Sequence, residues 1–180
     1  MTLRPTIPLL AALMLAAPAW AEDPHGTLNP DEMSMERMRD NVARGETSMT
    51  TCASGYLMTK SGRHGPARET FEACAGAGYT AAMTWMGTMD QNGLAGDYDP
   101  ERAAEWNRRA AEAGDPVGQL NHGLDLLRGY GVARDEARGR VLIDRAAEAG
   151  DEAARRVRAA GYDPEEATPD ADEWRYKPMF

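Results

Sequence analysis

The sequence predicts an all-α fold, an α-solenoid of antiparallel helix hairpins, on three observations. First, the chain repeats itself: set against 116–151, residues 80–115 agree at eleven of 36 positions without a gap. A period between about 20 and 50 residues marks a stack of like units. Second, each unit reads as two helix-length stretches joined by a glycine-rich turn and closed by a glycine. Third, an aspartate stands where most of these stretches begin, as a helix N-cap requires.

Taken in order, residues 1–21 read as a leader rather than as fold. Arg4 precedes an apolar run from Ile7 to Ala17, and Ala19-Trp20-Ala21 is the small-x-small pattern of a cleavage site. The run is shorter than the ~20 residues that span a bilayer; Pro8 interrupts it and Pro18 follows its end. Residues 22–45 combine a flexible lead-in with a helix from about Glu32 to Arg44 for which Asp31 is the expected cap. Met33, Met35 and Met38 on it are placed to pack on the next element.

The repeat array is expected over 46–160. Its upstream, partial copy has a helix at Ser48–Met58 and a second at 66–78, with Cys52 on the first and Cys74 on the second. In the clear pair the first helices are Thr80–Gln91 and Val117–Arg128. Gly93 and Gly129 end them, Asp99 and Asp135 cap the second helices, and Gly114 and Gly150 close these. Asp115 and Asp151 cap the next first helices. Gly87 and Gly123 lie within the first helices, where glycine costs about 1 kcal/mol relative to alanine; close approach of the paired helix at that point accounts for them. Trp106 and Leu142 fill one apolar slot in the two copies. Glu152–Ala160 is a final, charged first helix suited to capping the array. The tail, 161–180, is acidic and carries Trp174, Tyr176 and Phe180. It reads either as disordered or as a segment folding back over apolar surface left open by the last repeat.

Charge excludes some partners. The formal net charge is −9, and loss of Arg4 with the leader makes it one unit more negative. Nucleic acid and anionic lipid demand basic patches, so neither is expected as a partner. The two thiols, in an exported chain, either pair or remain as buried free cysteines.

The arrangement carried by Gly123, Gly129-Tyr130-Gly131-Val132, Asp135, Ala103, Trp106 and Ala110 to Asp115 resembles the Sel-1-like repeat, a branch of the tetratricopeptide superfamily. Three features depart from the family pattern: Leu94-Ala95-Gly96 stands in place of its glycine turn, Gly139 replaces an alanine, and His122 stands where leucine is usual. The resemblance implies a right-handed solenoid that binds another protein through its concave face, without catalysis and without cofactor. Exported relatives use disulfides to staple helix hairpins, which implies a Cys52–Cys74 bond. Other exported members regulate membrane sensors or contact hosts, and some are described as binding or weakly hydrolysing β-lactams. The expected role is therefore an exported adaptor or scaffold in the periplasm or outside the cell. Its partner would be a protein, an envelope or membrane protein being one kind. A sensor regulator and a binder or weak hydrolase of β-lactams or cell-wall fragments are the alternatives.

The residues themselves offer little chemistry. Neither Lys60 nor Lys177 has a serine three positions earlier, as a serine β-lactamase needs, and no zinc-protease, P-loop or nucleophile-elbow motif occurs. No metal site is expected, because no histidine or third cysteine lies at ligand spacing from Cys52 and Cys74. His64 is expected in a loop. His122 with Asp125 one turn on is the one candidate acid–base pair, though no nucleophile accompanies it and Asp125 more simply orients the imidazole. For binding, Val117, Leu120, Leu124 and Leu127 fall on one helical face, and Ala81, Thr84 and Thr88 occupy the matching face of the helix before. They form either core or the floor of a groove for a neutral or basic partner segment.

Overall fold

The computed structural model describes residues 34–167, and in that span the chain is all-helical. The helices are α1 (Met35–Ala43), α2 (Met49–Lys60), α3 (His64–Gly76), α4 (Thr80–Gln91), α5 (Pro100–Glu112), α6 (Pro116–Arg128), α7 (Glu136–Glu148) and α8 (Glu152–Ala159), followed by a 3-10 turn at Pro164–Ala167. Each packs on the next, giving an α-solenoid. The leader, Asp31 and the tail aromatics Trp174, Tyr176 and Phe180 lie outside the described residues.

Local signals place most boundaries. The side chains of Asp99, Asp115, Asp135 and Asp151 accept from the backbone N–H groups of Arg102, Gly118, Arg138 and Ala154 at 2.8–3.0 Å, each cap worth about 1 kcal/mol. Gly93, Gly114, Gly129 and Gly150 all take positive φ, as helix-ending glycines should. Two expectations are corrected. Ser34, not Asp31, caps the first helix, its hydroxyl accepting from Arg37 N–H at 3.1 Å, so the helix begins at Met35 rather than at Glu32. His64 is not in a loop but opens α3.

The glycines inside the first helices mark helix crossings. A Cβ on Gly87 would lie 2.7 Å from Asn107 Oδ1, and one on Gly123 would lie 2.8 Å from Ile143 and 3.0 Å from the Gly139 carbonyl. Asn107 and Ile143 are themselves 36 residues apart, so both hairpins close at the same point. Gly139, which replaces the usual alanine, faces back: a Cβ there would lie 2.8 Å from the Gly123 carbonyl. Two glycines thus let this pair of helices approach backbone to backbone.

The turn that departs from the family pattern shows its physical cost. Gly131 has φ +64°, and a Cβ there would collide with the carbonyl of Pro100. Its counterpart one repeat earlier is Ala95, which adopts the same left-handed conformation at φ 56°. That geometry costs an alanine about 1–2 kcal/mol, partly offset by the extra unfolded-state freedom of a glycine. Ala95→Gly is therefore expected to stabilise by up to about 1 kcal/mol, read as a raised urea midpoint at unchanged slope.

Buried apolar residues form two clusters among the described residues. The first, around α1 to α4, is rich in methionine: Met38, Met58, Met83, Met86 and Met89, with Phe71. Phe71 stacks on Trp85, with ring planes 3° apart and centroids 5.6 Å apart. The second cluster is branched aliphatic, with Leu120, Leu124, Leu127, Ile143 and Val157. One carboxylate is sealed between repeats: Asp90 is fully buried and receives Arg68 at 2.6 Å and Arg102 at 2.8 Å.

Candidate functional site

The first helices α4 and α6 touch directly, whereas α5 and α7 are separated by an open recess. The first helices therefore occupy the inner side of the stack. There a cavity of about 380 Å³ opens between α4, α5 and α6.

Its apolar floor is Leu120 and Leu124, which also belong to the second core cluster. Thr88 lies opposite on α4. Gln91, Asn121 and Arg128 form a polar rim, and Asn107, Asp125, Tyr130 and Ala167 complete the lining. Of the residues expected to contact a partner, the groove thus gathers Thr88, Leu120 and Leu124. Thr84 is buried and turned to its own helix, its hydroxyl donating to the Ala81 carbonyl at 2.9 Å. Leu127 is buried where α6 meets α7. Ala81 and Val117 are exposed at the entry ends of their helices and do not line the cavity.

A polar pair lies at the base of the groove. Asn107 Nδ2 donates to Asp125 Oδ2 at 2.9 Å, and both residues are buried. Their counterparts one repeat away, Ile143 and Met89, are apolar core residues, so the pair is peculiar to this junction. Burial pushes the Asp125 carboxyl up to about 6, while the hydrogen bond from Asn107 and the charge of Arg128 pull it partly back. The folded state therefore holds this proton more tightly than an unfolded chain titrating near its ordinary value. The stability it contributes is complete below about pH 4 and is lost as pH rises through 6. Asp125→Asn keeps the hydrogen-bonding shape without the charge. It is expected to be more stable than the native protein by about 2 kcal/mol at pH 8 and to flatten the profile between pH 4 and 6, which urea titrations at several pH values check.

Asp125 does not orient His122, contrary to the sequence expectation. Its partner is Asn107, and His122 lines the recess on the other side of α6. Among the described residues the buried His122 Nδ1 has no hydrogen-bond partner. Burial, and then the charges of Arg138 and Arg108, hold the imidazole below its ordinary pKa against the opposite pull of Glu112 and Glu105. The two titratable groups face different cavities, so no acid–base pair exists here. Among the described residues no cluster of His, Cys, Asp and Glu could hold a metal ion.

The remaining expected site residues are structural. Cys52 and Cys74 are joined by a disulfide between α2 and α3, with Cα atoms 5.8 Å apart. Such a bond fits an oxidising compartment outside the cytoplasm. Trp106 is half-buried against the first core cluster, with the Arg109 guanidinium 4.4 Å above its ring. No helix among the described residues is long and apolar enough to cross a membrane. After α8 the chain turns back: Tyr162 donates to Asp144 at 2.9 Å, Arg128 donates to the Pro164 carbonyl at 3.0 Å, and Ala167 reaches the groove.

Residues 80–115 and 116–151 each match the Sel1 repeat family. Among solved structures, the chain is similar to a Sel1 repeat protein from Oxalobacter formigenes at 25% identity and a TM-score of 0.58, over 67% of this chain and 93% of that one. It is similar in fold to cysteine rich protein B from Helicobacter pylori at 21% identity and a TM-score of 0.56, over 72% of this chain and 96% of that one. A third likeness is to c5321, a protective antigen of uropathogenic Escherichia coli strains with an SLR fold. The identity is 20% and the TM-score 0.50, over 77% of this chain and 37% of that one. No curated protein sequence matches the chain.

Proposed function

Because this chain is built on Sel1 repeats of the tetratricopeptide-like superfamily, a fold that generally mediates protein–protein interaction, we propose that it is an exported, non-catalytic adaptor. It grips a segment of a protein partner in the groove between α4 and α6. The repeat array acting as the binding unit spans 46–160, behind a leader cleaved near Ala21.

The observation that carries this reading is the composition of that groove. Leu120 and Leu124 offer an apolar floor, while Gln91, Asn121 and Arg128 line the edge with side chains able to pair an extended backbone. The acidic balance of the chain favours a neutral or basic segment. The disulfide supports an extracytoplasmic location, and a partner in the envelope accords with that location.

A photo-crosslinking residue placed at Thr88 or Asn121, with exposed Glu101 as the control site, tests the assignment in cells. The groove positions are expected to trap one partner that the control does not. A Thr88→Arg, Asn121→Lys double substitution, which fills the groove mouth, is expected to abolish the product while leaving the unfolding midpoint in place. Equal crosslinking at all three sites, or a product that survives the filled groove, would rule the groove out.

A further inference from the structure

The second cavity lies on the opposite, outer side of the stack, between α5, α6 and α7, with a volume of about 600 Å³. The same place one repeat earlier is a recess of about 340 Å³, lined by Met86, Arg102 and Trp106. A shift of 36 residues carries these onto His122, Arg138 and Leu142, all lining the larger recess.

Arg102 is occupied by the buried Asp90 carboxylate at 2.8 Å. The counterpart of Asp90 is Leu126, so Arg138 has lost its acid, and its guanidinium makes no ion pair or hydrogen bond among the described residues. Arg109 lies over the Trp106 ring. The counterpart of Trp106 is Leu142, so Arg145 has lost its aromatic face, and the smaller side chain leaves the extra space. The apolar Met86 has become His122, which is 5% exposed and whose Nδ1 has no partner among the described residues. A buried imidazole nitrogen without a hydrogen bond is costly, and an incoming group that pairs with it would remove that cost.

The geometry points to a binding site for a carboxylate carried on an apolar body. Among the described residues Arg138 and Arg145 present two unmatched guanidinium forks suited to carboxylate geometry, and His122 supplies a donor from the floor. Val141 and Leu142 form the apolar wall, with Val141 49% exposed. Arg108 adds no free cation, because Glu105 and Glu112 hold it at 2.6 and 2.5 Å. Glu112 at the edge and the acidic chain disfavour a doubly charged phosphate.

Titration followed by backbone and arginine-side-chain NMR shifts tests this on the folded, disulfide-bonded chain. The probes are 4-phenylbutyrate, its amide and inorganic phosphate. A pentapeptide ending in phenylalanine, with free or amidated carboxyl, is added because a peptide terminus offers the same chemistry. The acid is expected to shift His122, Arg138 and Arg145 and to bind at least about tenfold more tightly than its amide or phosphate. The Arg138→Leu, Arg145→Leu pair is expected to weaken it by about tenfold or more. His122→Met, which restores the residue of the preceding repeat, weakens it too, and Arg158→Gln on α8 leaves it unchanged. A free-carboxyl peptide binding much more tightly than phenylbutyrate identifies a protein terminus as the source; the reverse order identifies a small acid. Equal binding of acid and amide, full affinity in the double-arginine variant, or no saturable shift in the recess would overturn the proposal. None of these outcomes bears on the groove between α4 and α6.

Discussion

Asp90→Leu is expected to destabilise the protein by about 3–5 kcal/mol, although leucine is what the next repeat carries at the corresponding position, Leu126. The Asp90 side chain is fully buried and satisfies Arg68, which is only 14% exposed, together with Arg102. Burial alone would raise this carboxyl, but the hydrogen bonds from Arg102 and Arg68 outweigh it and hold it below its ordinary value. Its contribution is therefore present above the unfolded carboxylate value and lost as pH falls through the lower folded one. Removing the acid strands the largely buried Arg68 guanidinium, with the Leu94 carbonyl, at 3.2 Å, as its remaining partner among the described residues. Arg102 is 46% exposed and can turn to solvent, so it accounts for less of the loss. The Asp90→Leu, Arg68→Leu double variant is then expected to recover most of the stability, because an apolar pair of similar volume can replace a buried ion pair. Urea unfolding of the four members of this cycle reads the effect. A loss below about 1 kcal/mol in the single variant would show that the ion pair does not hold this junction together.

Removing the disulfide with Cys52→Ala and Cys74→Ala is expected to cost about 3 kcal/mol, since the bond closes a loop across 22 positions of sequence. The loss should be local. The first hairpin is held by a methionine-rich cluster, whose unbranched side chains adapt easily and specify packing weakly, and a repeat array is stabilised unit by unit. Limited proteolysis of the variant should therefore cut first within 34–79 and leave 80–160 intact. The native protein under strong reductant should behave alike. Uniform cleavage along the chain, or an unchanged urea midpoint, would contradict this account.

The groove is partly legible in the linear pattern. Thr88, Leu120 and Leu124 lie on the helix faces expected from helical spacing, and the cavity brings them together. Periodicity misses Asn107, Asn121 and Arg128, and the place of Asp125 in the groove, because they come from a second helix or from helix edges that it does not single out. A signal for some of them exists: Asp125 stands opposite Met89, and Asn107 opposite Ile143, when the two repeats are overlaid. A polar residue at a position that is apolar in the sister unit marks a place where this array does something its repeat does not require. His122 against Met86 is the same signal on the outer face.

What the sequence by itself determined is most of what is governed by neighbours within a few positions: the helix pairs, the aspartate caps of the two clear repeats, the closing glycines and the period of 36. Hydrogen bonds of a cap or a turn span about three to five residues, so local chemistry suffices to place them. Only the tertiary structure decided that His122 and Asp125, one turn apart, face opposite cavities, that Arg138 and Arg145 find no partner for their guanidinium groups among the described residues, and that residues 160–167 return to α6. Those outcomes depend on how far helices tilt and approach at Gly123 and Gly139, and so on contacts between residues more than a dozen positions apart.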